Sequence, residues 1–284
     1  YYNTIALAEA KMGENLYGQV RNLLASCARP YRHWEWGRLM HLCHLDLLTI
    51  EGHSGWVRCA AFSPDGGRLV TAGNDGKATI WETETGRRLR TLEGHSGWIR
   101  SVDFAPDGRR IVTAGEDATA RVWDAETGRG ILSLEGHSRT VCSVAFSPDG
   151  ARIVTAGMDG VGIVWDAATG EQVLTLQGHE RSVRCAAFGP EGEKIVTAGD
   201  DGTTRVWNAE TGTAILTLEG HSRGVNSAAI GPEGWRVVTA EYEGTARVWD
   251  TETGREVLTI EAHSARVYSV ALSPDGRPIL TAGD

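Results

Sequence analysis

The chain lacks the features that would tie it to a membrane, to nucleic acid or to a disulfide-stapled exterior. No apolar run approaches the ~20 residues needed to span a bilayer. No charged-then-apolar signal segment occurs in its first residues. Lys and Arg number 28 against 37 Asp and Glu, a net charge of −9, and no dense basic run breaks that balance. A nucleic-acid interface, which needs a cationic footprint, is therefore not expected. The five cysteines, Cys27, Cys43, Cys59, Cys142 and Cys185, are odd in number and share no spacing, which argues against a disulfide framework. Three of them sit in strand-like runs, where a free thiol acts as a small hydrophobe. A reducing, cytoplasmic setting is the expectation. Kinase signatures are missing too: there is no HRD-type catalytic loop, no DFG and no Gly-rich loop with a paired Lys. The stretch GNDGKAT, residues 73–79, is too short for a phosphate loop and leads into no helix.

What is present is a repeat. His53, His95, His137, His179, His221 and His263 recur at a fixed interval of 42 residues. Five follow a glycine, and the sixth follows Ala262. Within one period, TVCSVAF closes on SPDG, ARIVTAG on MDG and VGIVWD on AATG, and EQVLTLQ completes the unit. Four short β-rich runs separated by turn signals describe four antiparallel strands. One such sheet cannot bury both of its faces, so successive sheets must stack, and a ring of them is one solution.

The Gly-His near the start of each unit, the Trp-Asp some 28 residues on, and the unit length resemble WD40 repeats over residues 47–284. Glu82 and Asn208 depart from the Trp-Asp pair in two units. The resemblance implies an all-β propeller of four-stranded antiparallel blades: five full repeats and a partial sixth here, and seven or more blades in the whole protein. Both chain ends read as cuts, YYNTIALAEA without Met and ILTAGD in mid-pattern. WD40 propellers commonly close by lending a terminal fourth strand to the other end, and Leu47 to Ile50 match that strand's pattern. Members also hold each blade with a His, Ser/Thr, Asp and Trp network.

The residues themselves support such a network. Trp offers only an N–H, so a buried Trp wants a hydroxyl, which a Thr across the hairpin supplies and passes on to His and Asp. The matching sets are His53/Thr71/Asp75/Trp81, His95/Thr113/Asp117/Trp123, His137/Thr155/Asp159/Trp165 and His179/Thr197/Asp201/Trp207. The fifth, His221/Thr239/Trp249, has Glu243 where Asp is expected, and that extra methylene predicts a looser blade. A catalytic Thr–His–Asp triad is the rival reading, but a fold element repeats six times and an active site rarely does. Neither an unrepeated histidine nor a carboxylate pair points to a propeller enzyme with a channel active site. No catalytic residue, cofactor or metal is assigned.

Positions that vary among near-identical units are ones the blade does not dictate. Three residues after each His the series runs Trp56, Trp98, Thr140, Ser182, Gly224, Arg266. Five after, it runs Arg58, Arg100, Cys142, Arg184, Asn226, Tyr268; twenty-one after, Asn74, Glu116, Met158, Asp200, Tyr242, Asp284. In WD40 propellers these offsets map to the top face around the central channel. Trp, Tyr and Arg dominate binding hot spots, so Trp56, Arg58, Trp98, Arg100 and Arg184, with Glu116, Asp200, Tyr242, Arg266 and Tyr268, form a candidate docking surface for a protein or peptide partner, acidic or phosphorylated. The alternative is that the arginines merely pair with Glu116 and Asp200 and the tryptophans fill gaps between blades.

Residues 1–45 read differently. TIALAEAKMG, LYGQVRNLLASC and HWEWGRLMHLC carry helical apolar spacing. The first two resemble a tetratricopeptide-like hairpin. The run RHWEWGRLMHLCHLDLL resembles a segment preceding WD40 repeats in large bacterial proteins, some with a eukaryotic-like Ser/Thr kinase upstream, which would make the chain a regulatory or sensory module. Cys27, His33, His41, Cys43 and His44 lack the paired spacing of zinc fingers, and packing roles are expected for them.

Overall fold

A computed structural model describes residues 48–273 and 276–284, and His53–Asp284 form a unit of their own. Every described element is a strand. In the first blade Val57–Phe62, Arg68–Gly73, Lys77–Glu82 and Arg88–Glu93 pair in that order as an antiparallel meander. Blades spanning Ile99–Glu135, Val141–Leu176, Val183–Leu218 and Val225–Glu261 repeat it, and Val267–Leu272 with Ile279–Gly283 make a two-stranded sixth sheet. The helices expected over residues 1–45, with the five Cys and His there, lie outside the described residues.

One strand expectation is corrected. Leu48–Ile50 carry no strand, while Leu47 lies outside the described residues. A fourth strand bonds to a third strand, as Ala120 does to Leu134, and the sixth sheet supplies only a first and a second.

Blades bury each other. Val70, Ala72, Ala78, Ile80 and Leu92 of the first pack against Ile99, Val102, Phe104, Ile111 and Trp123 of the second, and the same set of positions recurs at the next interfaces. Each buried side chain of the Ile or Phe class contributes roughly 1.5–3 kcal/mol. The receiving face of the first blade stays bare by comparison. Val57 is 53% exposed and Phe62 62%, against 1% and 5% for their counterparts Ile99 and Phe104.

First strands lie side by side, and their open edges need partners for the backbone. Short polar side chains of the preceding blade provide them. The Val144, Ala186 and Val270 N–H groups donate to Ser101, Ser143 and Ser227 at 3.3 Å, and Phe146 N–H donates to Asp103 at 2.9 Å. The Cys185 thiol donates to Ala228 O in the same way. Burial pushes the Cys59 thiol up to about 12 and raises Cys142 and Cys185 as well. These cysteines are packing residues.

At the opposite end of the blades an arginine clamps each of the first three interfaces, Arg68 lying over Phe104 at 5.7 Å in the first. Arg110 stacks over Phe146 at 5.5 Å and donates to Gly150 O at 2.9 Å and Ala167 O at 3.3 Å. Arg152 repeats this on Phe188, Gly192 O and Ala209 O. Between the fourth and fifth blades Lys194 and Ile230 stand in for the Arg and the Phe. Lys194 Nζ stays 3.4 Å from Gly234 O, and a cavity of about 200 Å³ opens beside Ile230.

Two predictions follow from these interfaces. Lys194→Arg with Ile230→Phe should fill that cavity and raise stability by about 1–2 kcal/mol in urea unfolding; a double variant no more stable than the parent refutes the clamp. Burial lifts Asp103 to about 6, with backbone hydrogen bonds from Phe146 and Phe104 opposing. A carboxyl raised above its unfolded value of 3.8 contributes stability at low pH that is lost as pH rises through 6. Asp103→Asn should therefore stabilise more at pH 7.5 than at pH 5, by up to about 2 kcal/mol. A gain that shrinks with rising pH contradicts the assignment.

Candidate functional site

Each of the first four blades is pinned by one chain of hydrogen bonds. In the second, Trp123 Nε1–H donates to Thr113 Oγ1 at 2.8 Å, Thr113 meets His95 Nε2 at 2.7 Å, and His95 Nδ1 meets Asp117 Oδ2 at 2.9 Å. Trp can only donate and the carboxylate only accept, so the protons run one way: Trp to Thr, Thr to His Nε2, His Nδ1–H to Asp. The imidazole in such a chain is neutral. Burial pushes His95 and His179 below the usual histidine value, and their Asp partners offset this only in part. For Asp117 burial acts upward, but hydrogen bonds from Ser96 N–H, Thr119 and His95 outweigh it and hold the carboxyl low.

The same links join His53, Thr71, Asp75 and Trp81 at 2.8–2.9 Å. They recur for His137, Thr155, Asp159 and Trp165 and for His179, Thr197, Asp201 and Trp207. Each Asp also accepts the backbone N–H just after its histidine, as Asp159 does from Ser138 at 2.9 Å. The network thus ties the entry loop to the hairpin between the second and third strands.

The fifth blade is built differently from the expectation. Trp249, Thr239 and His221 keep their links at 2.9 and 2.7 Å. The carboxylate beside His221 Nδ1, at 2.8 Å, belongs to Glu241, which is 1% exposed. Glu243 swings outward to Ser222 and to Arg223 at 2.8 Å. Glu241 occupies the position of a glycine in every other unit: Gly73, Gly115, Gly157, Gly199, Gly283. A Cβ on Gly199 would lie 2.6 Å from His179 Nδ1 and 2.8 Å from Asp201 Oδ1. A side chain there therefore evicts the hairpin carboxylate, and Glu241 supplies a replacement. Sequence reading fixed on Glu243 and overlooked this Gly-to-Glu break two residues upstream.

The variable positions come together at the loop end of the blades. In every unit the N–H of the residue twenty-one after the histidine donates to the carbonyl of the residue three after it, as Glu116 does to Trp98 at 2.9 Å and Asp200 to Ser182 at 2.8 Å. In four units the residue five after joins by its side chain, whereas Asn226 of the fifth reaches Val267 O instead. Arg58 Nε donates to Asn74 at 2.7 Å, Arg100 to Glu116 at 3.0 Å, Arg184 to Asp200 at 2.8 Å, and Tyr268 O–H to Asp284 at 2.8 Å. Where one member is apolar so is the other, Cys142 with Met158. The arginines are thus paired in place. Trp98 is 40% exposed, and Trp56, beside the bare receiving face of the first blade, 74%. Arg58 lies 5.6 Å from the Trp56 ring and 5.4 Å from that of Trp98, and Arg100 lies 5.8 Å from the Trp98 ring. Two rings and two guanidiniums alternate in an exposed ladder across two blades. Arg266 sits 5.2 Å over Tyr242 farther round the same face. Among the described residues no group of three or more His, Cys, Asp or Glu is placed to hold a metal ion.

Comparison with known proteins follows this geometry. The profile of the family described as "WD domain, G-beta repeat" matches residues 46–82, 86–124, 128–166, 170–208, 212–250 and 254–284. WD repeat-containing protein 38 of Mus musculus is 54% identical over 37 residues, 13% of this chain and 12% of that protein. Nuclear distribution protein PAC1 of Arthroderma benhamiae is 39% identical over 61 residues, 22% of this chain and 13% of the relative. Small ribosomal subunit protein RACK1 of Medicago sativa is 44% identical over 41 residues, 14% and 13%. The chain thus matches about an eighth of the length of these curated relatives.

The Glu241 swap yields a prediction. Glu241→Gly alone should strip His221 of its carboxylate and cost about 1–3 kcal/mol. Adding Glu243→Asp should restore the arrangement of the other blades and recover most of that loss, measured as a coupling in a double-mutant unfolding cycle. Strict additivity of the two changes rules out the compensation.

Proposed function

This chain belongs to the WD-domain, G-beta repeat (WD40) family, and from that premise we propose that it is a non-enzymatic protein-interaction scaffold. Its docking surface is the loop face of the blades, centred on Trp56, Arg58, Trp98 and Arg100. The exposed Trp–Arg–Trp–Arg ladder carries the reading. Trp98 stays 40% exposed although a blade lies on either side of it, and Trp and Arg are the residue types that anchor interfaces. Pairing with Asn74 and Glu116 holds both guanidiniums in place before any partner arrives, which lowers the ordering cost of binding. One relative is named a small ribosomal subunit protein, a component of an assembly. The partner we favour is a protein or peptide with acidic or phosphorylated side chains, and the half-buried free thiols suit a cytoplasmic setting.

Affinity capture from the source lysate tests this. The 284-residue chain is compared with Trp56→Ser/Trp98→Ser and with Trp235→Ser, which alters an exposed tryptophan at the opposite end of the blades. The ladder variant should lose specific proteins that the parent and the Trp235 variant retain. Identical capture by all three defeats the docking surface.

A further inference from the structure

The ladder covers the first two blades. The next three have another peculiarity at the same end. Two residues after the histidine, the series runs Gly55, Gly97, Arg139, Arg181, Arg223, Ala265. Three consecutive blades each project an arginine from a loop whose counterparts carry glycine or alanine. Nothing in the blade requires those side chains, and all three are exposed. Together with Arg266 they line a cavity of about 1050 Å³.

The charges around that cavity do not cancel. Of the lining carboxylates, Asp159 and Asp201 are held by His137 and His179 at 2.9 Å, and Asp200 by Arg184 at 2.7 Å. Glu180 is the one remaining carboxylate in the lining. Arg223 has Glu243 at 2.8 Å, an exposed pair that a stronger anion displaces at little cost. Arg139 and Arg181 make no hydrogen bond or ion pair with any described residue. On a chain of net charge −9, two unpaired guanidiniums stand on neighbouring loops at the mouth of one cavity. The hydroxyl-bearing Ser138, Ser182 and Ser222 line it beside them.

We propose that this cavity is a phosphate-reading subsite, which takes a phosphorylated segment of a partner protein with its phosphoryl oxygens on Arg139 and Arg181. The proposal rests on the loop face being a docking surface and adds what one part of it recognises. A carboxylate is satisfied by one bidentate arginine, whereas a phosphoryl group brings nearly two charges and three acceptor oxygens and draws on more than one. A small-molecule polyphosphate suits the site less well. Small-ligand pockets are mostly apolar and enclosed, while this one is lined by charged and hydroxyl side chains of several loops. Its face also carries the Trp56 and Trp98 ladder, which a peptide engages and a small anion does not. The two subsites divide the work: apolar and cationic anchoring over the first two blades, phosphate reading over the third and fourth.

Fluorescence anisotropy with short degenerate peptides bearing two phosphoserines, beside the same peptides with serine, tests the subsite on the 284-residue chain. The variants are Arg139→Gln/Arg181→Gln, Arg139→Lys/Arg181→Lys and the ladder variant Trp56→Ser/Trp98→Ser, each first shown to unfold at the parent temperature. The phosphorylated peptides should bind at least about tenfold more tightly than the serine ones. The Gln variant should abolish that difference, and the Lys variant, which keeps charge but not the bidentate fork, should keep part of it. The ladder variant should weaken both peptide sets while preserving the preference for phosphate. Equal binding of both sets, or no binding of either, overturns the phosphate subsite. Binding that ignores phosphate but falls in the ladder variant overturns it while leaving the docking face standing. Tight binding of tripolyphosphate without any of phosphopeptide overturns it in favour of a small ligand.

Discussion

A one-way chain of protons holds each of the first four blades together. Trp Nε1 has a hydrogen to give and nothing to receive, and a carboxylate the reverse, so Thr and His between them have no freedom of direction. The chain reaches from the third strand through the second to the entry loop, and the carboxylate then collects the loop's own backbone N–H groups. Its members are buried, so a missing link leaves a desolvated group without a partner, a larger loss than the net worth of one hydrogen bond. This explains why the fifth blade, when it gains a side chain at position 241, does not leave His221 alone. The intruder is itself a carboxylate.

The second constraint lies between blades. A four-stranded sheet has two faces, so each blade is complete only when both neighbours are present. Three devices repeat along the chain: apolar faces that interlock, hydroxyls that meet the open edges of the first strands, and arginines that stack on the next blade's phenylalanine and hold its turn carbonyls. They need not weaken together. At the fourth interface the apolar set is intact, with Val196, Leu218, Val225 and Trp249 buried, yet the clamp is reduced to a lysine and an isoleucine. Repeats that look equal in sequence are unequal in their joints.

Strand count, antiparallel order and the network were legible because each has a local signature that returns at the repeat interval. His95, Thr113, Asp117 and Trp123 could be placed together before any coordinates, since a buried Trp and a buried carboxylate leave few ways to satisfy both. Less legible was whatever depends on a neighbour. Ser101 and Ser143 look like ordinary polar strand residues until the adjacent edge is seen, and Asp103 becomes an edge partner only because Phe146 presents an N–H. Glu241 was missed for a related reason. Attention went to the missing Asp at 243, while its cause lay at a glycine whose lack of a Cβ leaves room for the carboxylate. The pairing of position five with position twenty-one was also invisible one column at a time, although Arg100 with Glu116, Arg184 with Asp200 and Cys142 with Met158 show it once the strands are in register.

The repeat separates stability from function in a way a single-copy fold does not. Any residue the blade needs must appear in every unit or be visibly compensated, as Glu241 compensates for Glu243. A residue that appears in only some units, without compensation in the others, is free of that requirement. Trp56 and Trp98 meet this test, being exposed where other units carry Thr, Ser, Gly or Arg. Arg139, Arg181 and Arg223 meet it where others carry Gly or Ala. Both sets lie at the loop end, and the second places cationic groups on a chain whose overall charge is negative. The carboxylates Glu116, Glu180 and Asp200 vary at that end too, so the loop end is where these blades are free to differ.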